Sequence, residues 1–161
     1  MRGRGYAPKG KTPVVPANVN RSKLSVISTV TNKGRMCWKV FSGAMNTKIM
    51  IGFMKRLVDG RQKRVFLILD NLRVHHSKAV RKWFRGNADK IQVFYLPSYS
   101  PELNPDELLN ADLKRRVTKV APARTKLALT QTAVSVLRSI QKQPGRVENY
   151  FGQKYICYAA A

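Results

Sequence analysis

The chain has 161 residues, 43% of them apolar, and 31 Lys plus Arg against 8 Asp plus Glu give it a formal charge of +23. That length is one domain's worth, and that apolar content excludes a disordered basic tail. The charge implies strong, salt-sensitive attraction to phosphate backbones, with anionic membranes and acidic proteins as alternative partners.

No apolar run approaches the roughly 18 residues of a spanning helix, and the basic N-terminus lacks the apolar stretch of a signal peptide. A soluble intracellular protein is therefore expected. Residues Met1 to Arg21 are rich in Gly, Pro, Lys and Arg, and Pro8, Pro13 and Pro16 disfavour a helix. We read a basic arm over 1–21 and one domain over 22–161. Lys23 to Val30 alternates and is β-branched, Asn32-Lys33-Gly34 reads as a turn, and Met36 to Phe41 returns, which predicts a hairpin. Asn46 to Val58 carries Ile49, Met50, Phe53, Met54 and Leu57 at helical spacing and stops at Asp59-Gly60. Lys63 to Asp70 reads as a buried strand. Ser77 caps a short helix with Val80, Trp83 and Phe84 on its inner face and Gly86 as its stop. Ile91 to Leu96 is a second apolar strand, and Pro97 to Pro101 a loop. Asn104 caps a helix that begins Pro105-Asp106-Glu107 and runs to about Val120; another covers about Lys126 to Lys142. The aromatic stretch Tyr150 to Tyr158 is expected to be extended. Strands alternating with helices after a hairpin imply one mixed α/β sheet with parallel members and flanking helices, a ribonuclease-H-like layout. Cys37 and Cys157 have no metal spacing and are expected as buried free thiols.

Asp70 is the leading candidate for chemistry. It ends the apolar run Val65-Phe66-Leu67-Ile68-Leu69, and a carboxylate there is costly unless something pairs with it. Open α/β sheets bind ligands outside the carboxyl ends of their strands. Glu107 follows the next strand and is the second candidate. Both have a simpler reading: Asp70-Asn71 as a turn, and Asn104 with Glu107 as a capping box behind Pro105. His75 and His76 read as phosphate or water ligands or as solvated loop residues. No acid precedes Asp59, so the first 58 residues supply no carboxylate. Basic residues cluster at Arg2, Arg4, Lys9 and Lys11; at Arg61, Lys63 and Arg64; at Arg81, Lys82 and Arg85; and at Lys114, Arg115, Arg116 and Lys119. These clusters exceed what solubility needs, and we read the last three as DNA-binding.

Leu67-Ile68-Leu69-Asp70-Asn71 with His75, followed by Tyr95-Leu96-Pro97-Ser98-Tyr99-Ser100-Pro101-Glu102-Leu103-Asn104-Pro105-Asp106-Glu107, closely resembles the catalytic domain of DDE transposases. The likeness is to the mariner-like superfamily, above all its bacterial insertion-sequence (six-thirty) branch. Arg4-Gly5-Tyr6-Ala7-Pro8 and Leu24-Ser25-Val26-Ile27-Ser28 also look like that branch. The resemblance implies a ribonuclease-H-like fold and three carboxylates holding two divalent metals, Mg²⁺ or Mn²⁺. Asp70 matches the second acid and Glu107 the third, with Asn71, His75, Asn104 and Lys114 in support. Asp106 stands where the family is usually apolar, and Asn110 where many relatives have Trp. The family's first catalytic Asp lies on a strand before the Arg-Gly-Tyr-Ala-Pro segment, which here opens the chain. The first strand, its metal ligand and the N-terminal DNA reader are thus expected to be missing. The implied activity is DNA transposition by metal-dependent strand cleavage and transfer, in the bacterial cytoplasm at the nucleoid, with DNA, a homo-oligomer or a complementing upstream segment as partners. A non-catalytic DNA-binding remnant is the alternative, so whether this chain alone is an enzyme stays open.

Overall fold

A computed structural model describes residues 23–120 and 125–159. The basic arm expected over 1–21 and the Cys157 side chain lie outside what is described. Strands β1 (Ser25–Val30) and β2 (Met36–Phe41) pair antiparallel, from Ser25 opposite Phe41 to Val30 opposite Met36. Gly34 takes φ +70° in the turn between them, where Arg35 O accepts from Thr31 N at 2.8 Å. Helix α1 (Thr47–Val58) starts at Asn46, whose side chain accepts from Ile49 N at 2.9 Å. It buries Met50, Phe53, Met54 and Leu57, the stripe that its spacing predicts.

Strand β3 (Val65–Leu69) leads through a one-turn 3-10 helix, Arg73–His76, into α2 (Lys78–Arg85). Strand β4 (Ile91–Tyr95) returns parallel to β3, from Val65 opposite Ile91 to Leu69 opposite Tyr95. Ser77 and Gly86 cap α2 as expected. Then come α3 (Pro105–Lys119), α4 (Lys126–Gln141) and a short α5 (Pro144–Glu148).

Two cores lie on opposite faces of β1, which alternates between them. Val26 and Val30 pack with α3, α4 and α5 around Leu109, Leu137 and Ile140. Ile27 packs with α1, α2 and β3 around Met50, Phe53 and Val80. Each fully buried side chain of this size contributes about 2 kcal/mol.

Three expectations are corrected. The strands form two two-stranded sheets, not one mixed sheet, because among the described residues nothing pairs β1 with β3. The fold is mixed α/β. Tyr150 to Tyr158 is not extended: Asn149–Gly152 and Cys157–Ala159 are 3-10 turns, and Tyr150 and Phe151 are buried in the core with α3 and α4. Cys37 is free but half-buried rather than buried. No helix of the described residues is long and apolar enough to cross a membrane.

Candidate active site

Asp70 stands one residue beyond β3, where the strand's apolar run delivers it to the sheet end. Its Oδ1 is 3.0 Å from His75 Nδ1, and that ring nitrogen is also 2.9 Å from the Asp70 backbone oxygen. The hydrogen bond from His75 holds the Asp70 carboxyl below its usual range, against an opposing effect of partial burial. Burial would lower the His75 pKa, but its bonds to Asp70 outweigh that and raise it. His75 is 6% exposed, so it is packed rather than a solvated loop residue.

Asn71 braces the two sheet-end loops. Its Nδ2 donates to Leu96 O at 3.1 Å and Ser98 Oγ at 3.2 Å, and its Oδ1 is 2.6 Å from His76 Nε2. The His76 ring lies against Tyr95, with centroids 4.5 Å apart. Beyond Ser98, Tyr99 is fully exposed and takes φ 59°, a left-handed conformation costly for an aromatic residue.

Glu107 lies in the first turn of α3. Asn104 caps that helix, accepting from Asp106 N at 3.0 Å. The reciprocal half of the capping box is not made: Asn104 N donates to Pro101 O at 3.0 Å. Glu107 is exposed, and among the described residues its carboxylate has no hydrogen-bond or ion partner. Asp70, His75, Asn104, Asp106, Glu107 and Asn110 all line one cleft of about 720 Å³. Lys114 lies farther along α3, exposed and outside that lining.

Residues 1–130 match the DDE superfamily endonuclease family. The chain belongs to the DDE superfamily endonucleases. It is also similar to the insertion element IS630 uncharacterized 39 kDa protein of Shigella sonnei, 28% identical over 108 residues, or 66% of this chain. The chain spans about a third of that relative's length, 31%. Both likenesses agree with the mariner-like, insertion-sequence motifs.

Carboxylate oxygens of the kind this DDE chain offers suit a hard divalent cation. The described residues do not complete such a site, since no three His, Cys, Asp or Glu side chains among them group closely enough to hold a metal. Asp106 is the cleft residue that sequence reasoning set aside. Ser28 Oγ donates to its two oxygens at 2.7 and 2.9 Å. Burial, with the nearby charges of Glu107 and Asp70, pushes its pKa up to about 6, and the Ser28 bond restrains the rise. The one sequence signal was the departure itself, an acid where the family is apolar.

The candidate DNA-binding residues Arg61, Lys63, Arg64, Arg81, Lys82, Arg85, Lys114, Arg115 and Lys119 are exposed, and Arg116 is half-buried. Arg115 and Arg116 also reach Asp112, at 3.0 and 3.4 Å. Asp112 is 4% exposed and is held further by Arg146 at 2.7 and 2.9 Å and by the Tyr150 hydroxyl at 2.9 Å. Burial and the bond to Asp112 push Tyr150 up to about 12. Sequence reading missed this network because its members meet only through the packing of α3 against α5 and the turn after it.

Proposed function

We propose that this chain contributes two carboxylates and a phosphate-binding surface to the centre of a DNA transposase that cuts and joins strands with Mg²⁺ or Mn²⁺. The observation that carries the reading is the convergence of Asp70 and Glu107 on one cleft, with Glu107 free of its capping role. His75 keeps Asp70 ionised and fixes its position, Asn71 ties its loop to the loop after β4, and the exposed basic residues face the DNA backbone. Tyr99 is free to stack on a base beside the cleft. The resemblance implies a third carboxylate, supplied from outside the described residues in cis or in trans; the phosphodiester chemistry is that of the completed centre.

The test is Mn²⁺ titration of the ¹⁵N-labelled chain by NMR. Broadening centred on the amides of Asp70 and Glu107, lost in Glu107→Gln, supports the reading. Broadening elsewhere, or broadening that survives the substitution, overturns the site.

A second reading is favoured by the lack of a three-residue metal group among the described residues. In it the chain binds DNA without cutting. Affinity then falls steeply with salt and is unchanged by Asp70→Ala. Metal-dependent cutting by this chain alone excludes that reading.

A further inference from the structure

A second groove, of about 470 Å³, runs along the outer edge of β2 and shares no lining residue with the cleft of Asp70 and Glu107. It is lined by consecutive residues of that strand, Met36 to Val40. A groove over the face of a strand touches every second residue, so a consecutive lining means that it meets the edge. Strand β2 pairs only with β1. Arg35 O accepts from Thr31 N across the hairpin, whereas Met36 O accepts from the Gln141 side chain at 3.2 Å. Backbone groups alternate in direction along a strand, so those of Trp38 and Val40 point outward with those of Met36. Among the described residues, these outward N–H and C=O groups of Trp38 and Val40 have no partner.

The walls beside that edge are cationic. Helix α1 brings Arg56 and helix α4 brings Arg138, both exposed, from opposite faces of the hairpin, and Lys39 stands on the strand itself. Among the described residues, none of the three has an ion partner and no acid lines the groove. Charge on an open edge keeps like copies from pairing there. The same charge favours a partner of opposite sign.

We propose that the outer edge of β2 takes up an extended acidic segment of a partner protein by strand addition, its backbone pairing with Trp38 and Val40 and its carboxylates meeting Lys39, Arg56 and Arg138. Side chains of an added strand point alternately to the two faces, so acids on both faces reach both walls. Nucleic acid matches the cations but not the edge, because its phosphates accept without donating and leave the carbonyls of Trp38 and Val40 unpaired. A second copy sets Lys39, Arg56 and Arg138 against their own kind. Residues 1–22, 121–124 and 160–161 of this chain contain no acid. The occupant is therefore another polypeptide. This inference concerns the outer strand edge and stands apart from the role of the cleft carboxylates.

The test uses the full chain and a fluorescein-labelled peptide of about eight residues in which pairs of Glu and pairs of Val alternate, so that both faces carry acids. Saturable binding is expected, with hydrogen-exchange protection of the Trp38 and Val40 amides. The same peptide N-methylated at its central residues keeps its charge but loses its donors, and is expected to bind at least about tenfold more weakly. Arg56→Gln with Arg138→Gln is expected to weaken binding about fivefold without moving the thermal melt, whereas Lys48→Gln with Lys78→Gln, exposed and outside the groove, leaves it within about twofold. The proposal is overturned if the peptide does not bind, if the methylated peptide binds equally, if both pairs of substitutions act alike, or if protection falls elsewhere. It is equally overturned if a dimer protects those amides without peptide, or if duplex DNA protects them as the peptide does, which would make the groove a phosphate site.

Discussion

Asp106 and Asp112 share helix α3 and titrate in opposite directions. Burial alone would raise the Asp112 carboxyl, but hydrogen bonds from Arg146, Arg115 and Tyr150 reverse that and hold it far below the usual range. Its folded pKa lies below its unfolded value of about 3.9, so its stabilisation is present above that pH and is lost on acidification. Asp112→Asn is expected to cost about 3 kcal/mol at neutral pH, because it strips Arg146 and Tyr150 of a shared acceptor. Urea denaturation at several pH values checks this: the gap from the unsubstituted chain should narrow as the solution becomes acidic. For Asp106 the sign is the reverse. Its folded pKa, about 6, lies above the unfolded value, so stability declines as pH rises from the unfolded pKa through the folded one. Asp106→Asn should melt higher than the unsubstituted chain in mildly alkaline buffer and match it in acid. Carboxyl ¹³C titration adds a second check, since Ser28→Ala should move the Asp106 midpoint upward.

At the scale of elements, what was legible is what is local. The caps at Asn46, Ser77 and Asn104 each bond a backbone amide two or three residues on, so the residues that decide a helix start lie inside one short window. The same holds for the stripe of α1 and the hairpin turn. α5 escaped notice because Pro144 opens a helix of only five residues, too short for a period. The tail escaped because Tyr150 and Phe151 answer to a core built by distant helices. Gly34 joins the two levels. Its φ of +70° favours glycine, and a Cβ there would come within 2.6 Å of Pro144 Cβ. Gly34→Ala is expected to cost more than about 2 kcal/mol, combining backbone strain with the clash. Gly60→Ala, at φ +65° with open space around it, is the matched control and should cost about 1 kcal/mol from strain alone. Chemical denaturation of the pair separates the two contributions.

For the whole molecule, charge is the dominant fact, and α2 presents it plainly in Arg81, Lys82 and Arg85, all exposed. If these contact phosphates, replacing all three with Gln should flatten the slope of log affinity against log salt by up to about 2.7 on duplex DNA. Fluorescence anisotropy over a salt series measures it, and an unchanged slope would move the DNA surface elsewhere. Arg116 is expected to contribute less, being half-buried and drawn to Asp112 within its own helix.

Taken alone, the sequence determined the positions of the four strands, the main helices and their caps, and the family, and it named Asp70 and Glu107 as candidates, because period, capping chemistry and a contiguous motif are written in neighbouring residues. Tertiary structure alone decided that Glu107 is released from its cap, that Asp106 shares the cleft, that Asp112 is held by three arginines and a tyrosine, and that the described strands stand as two sheets. Each of those depends on which distant segments meet, and strand pairing and carboxylate clustering are set by that meeting rather than by any local pattern.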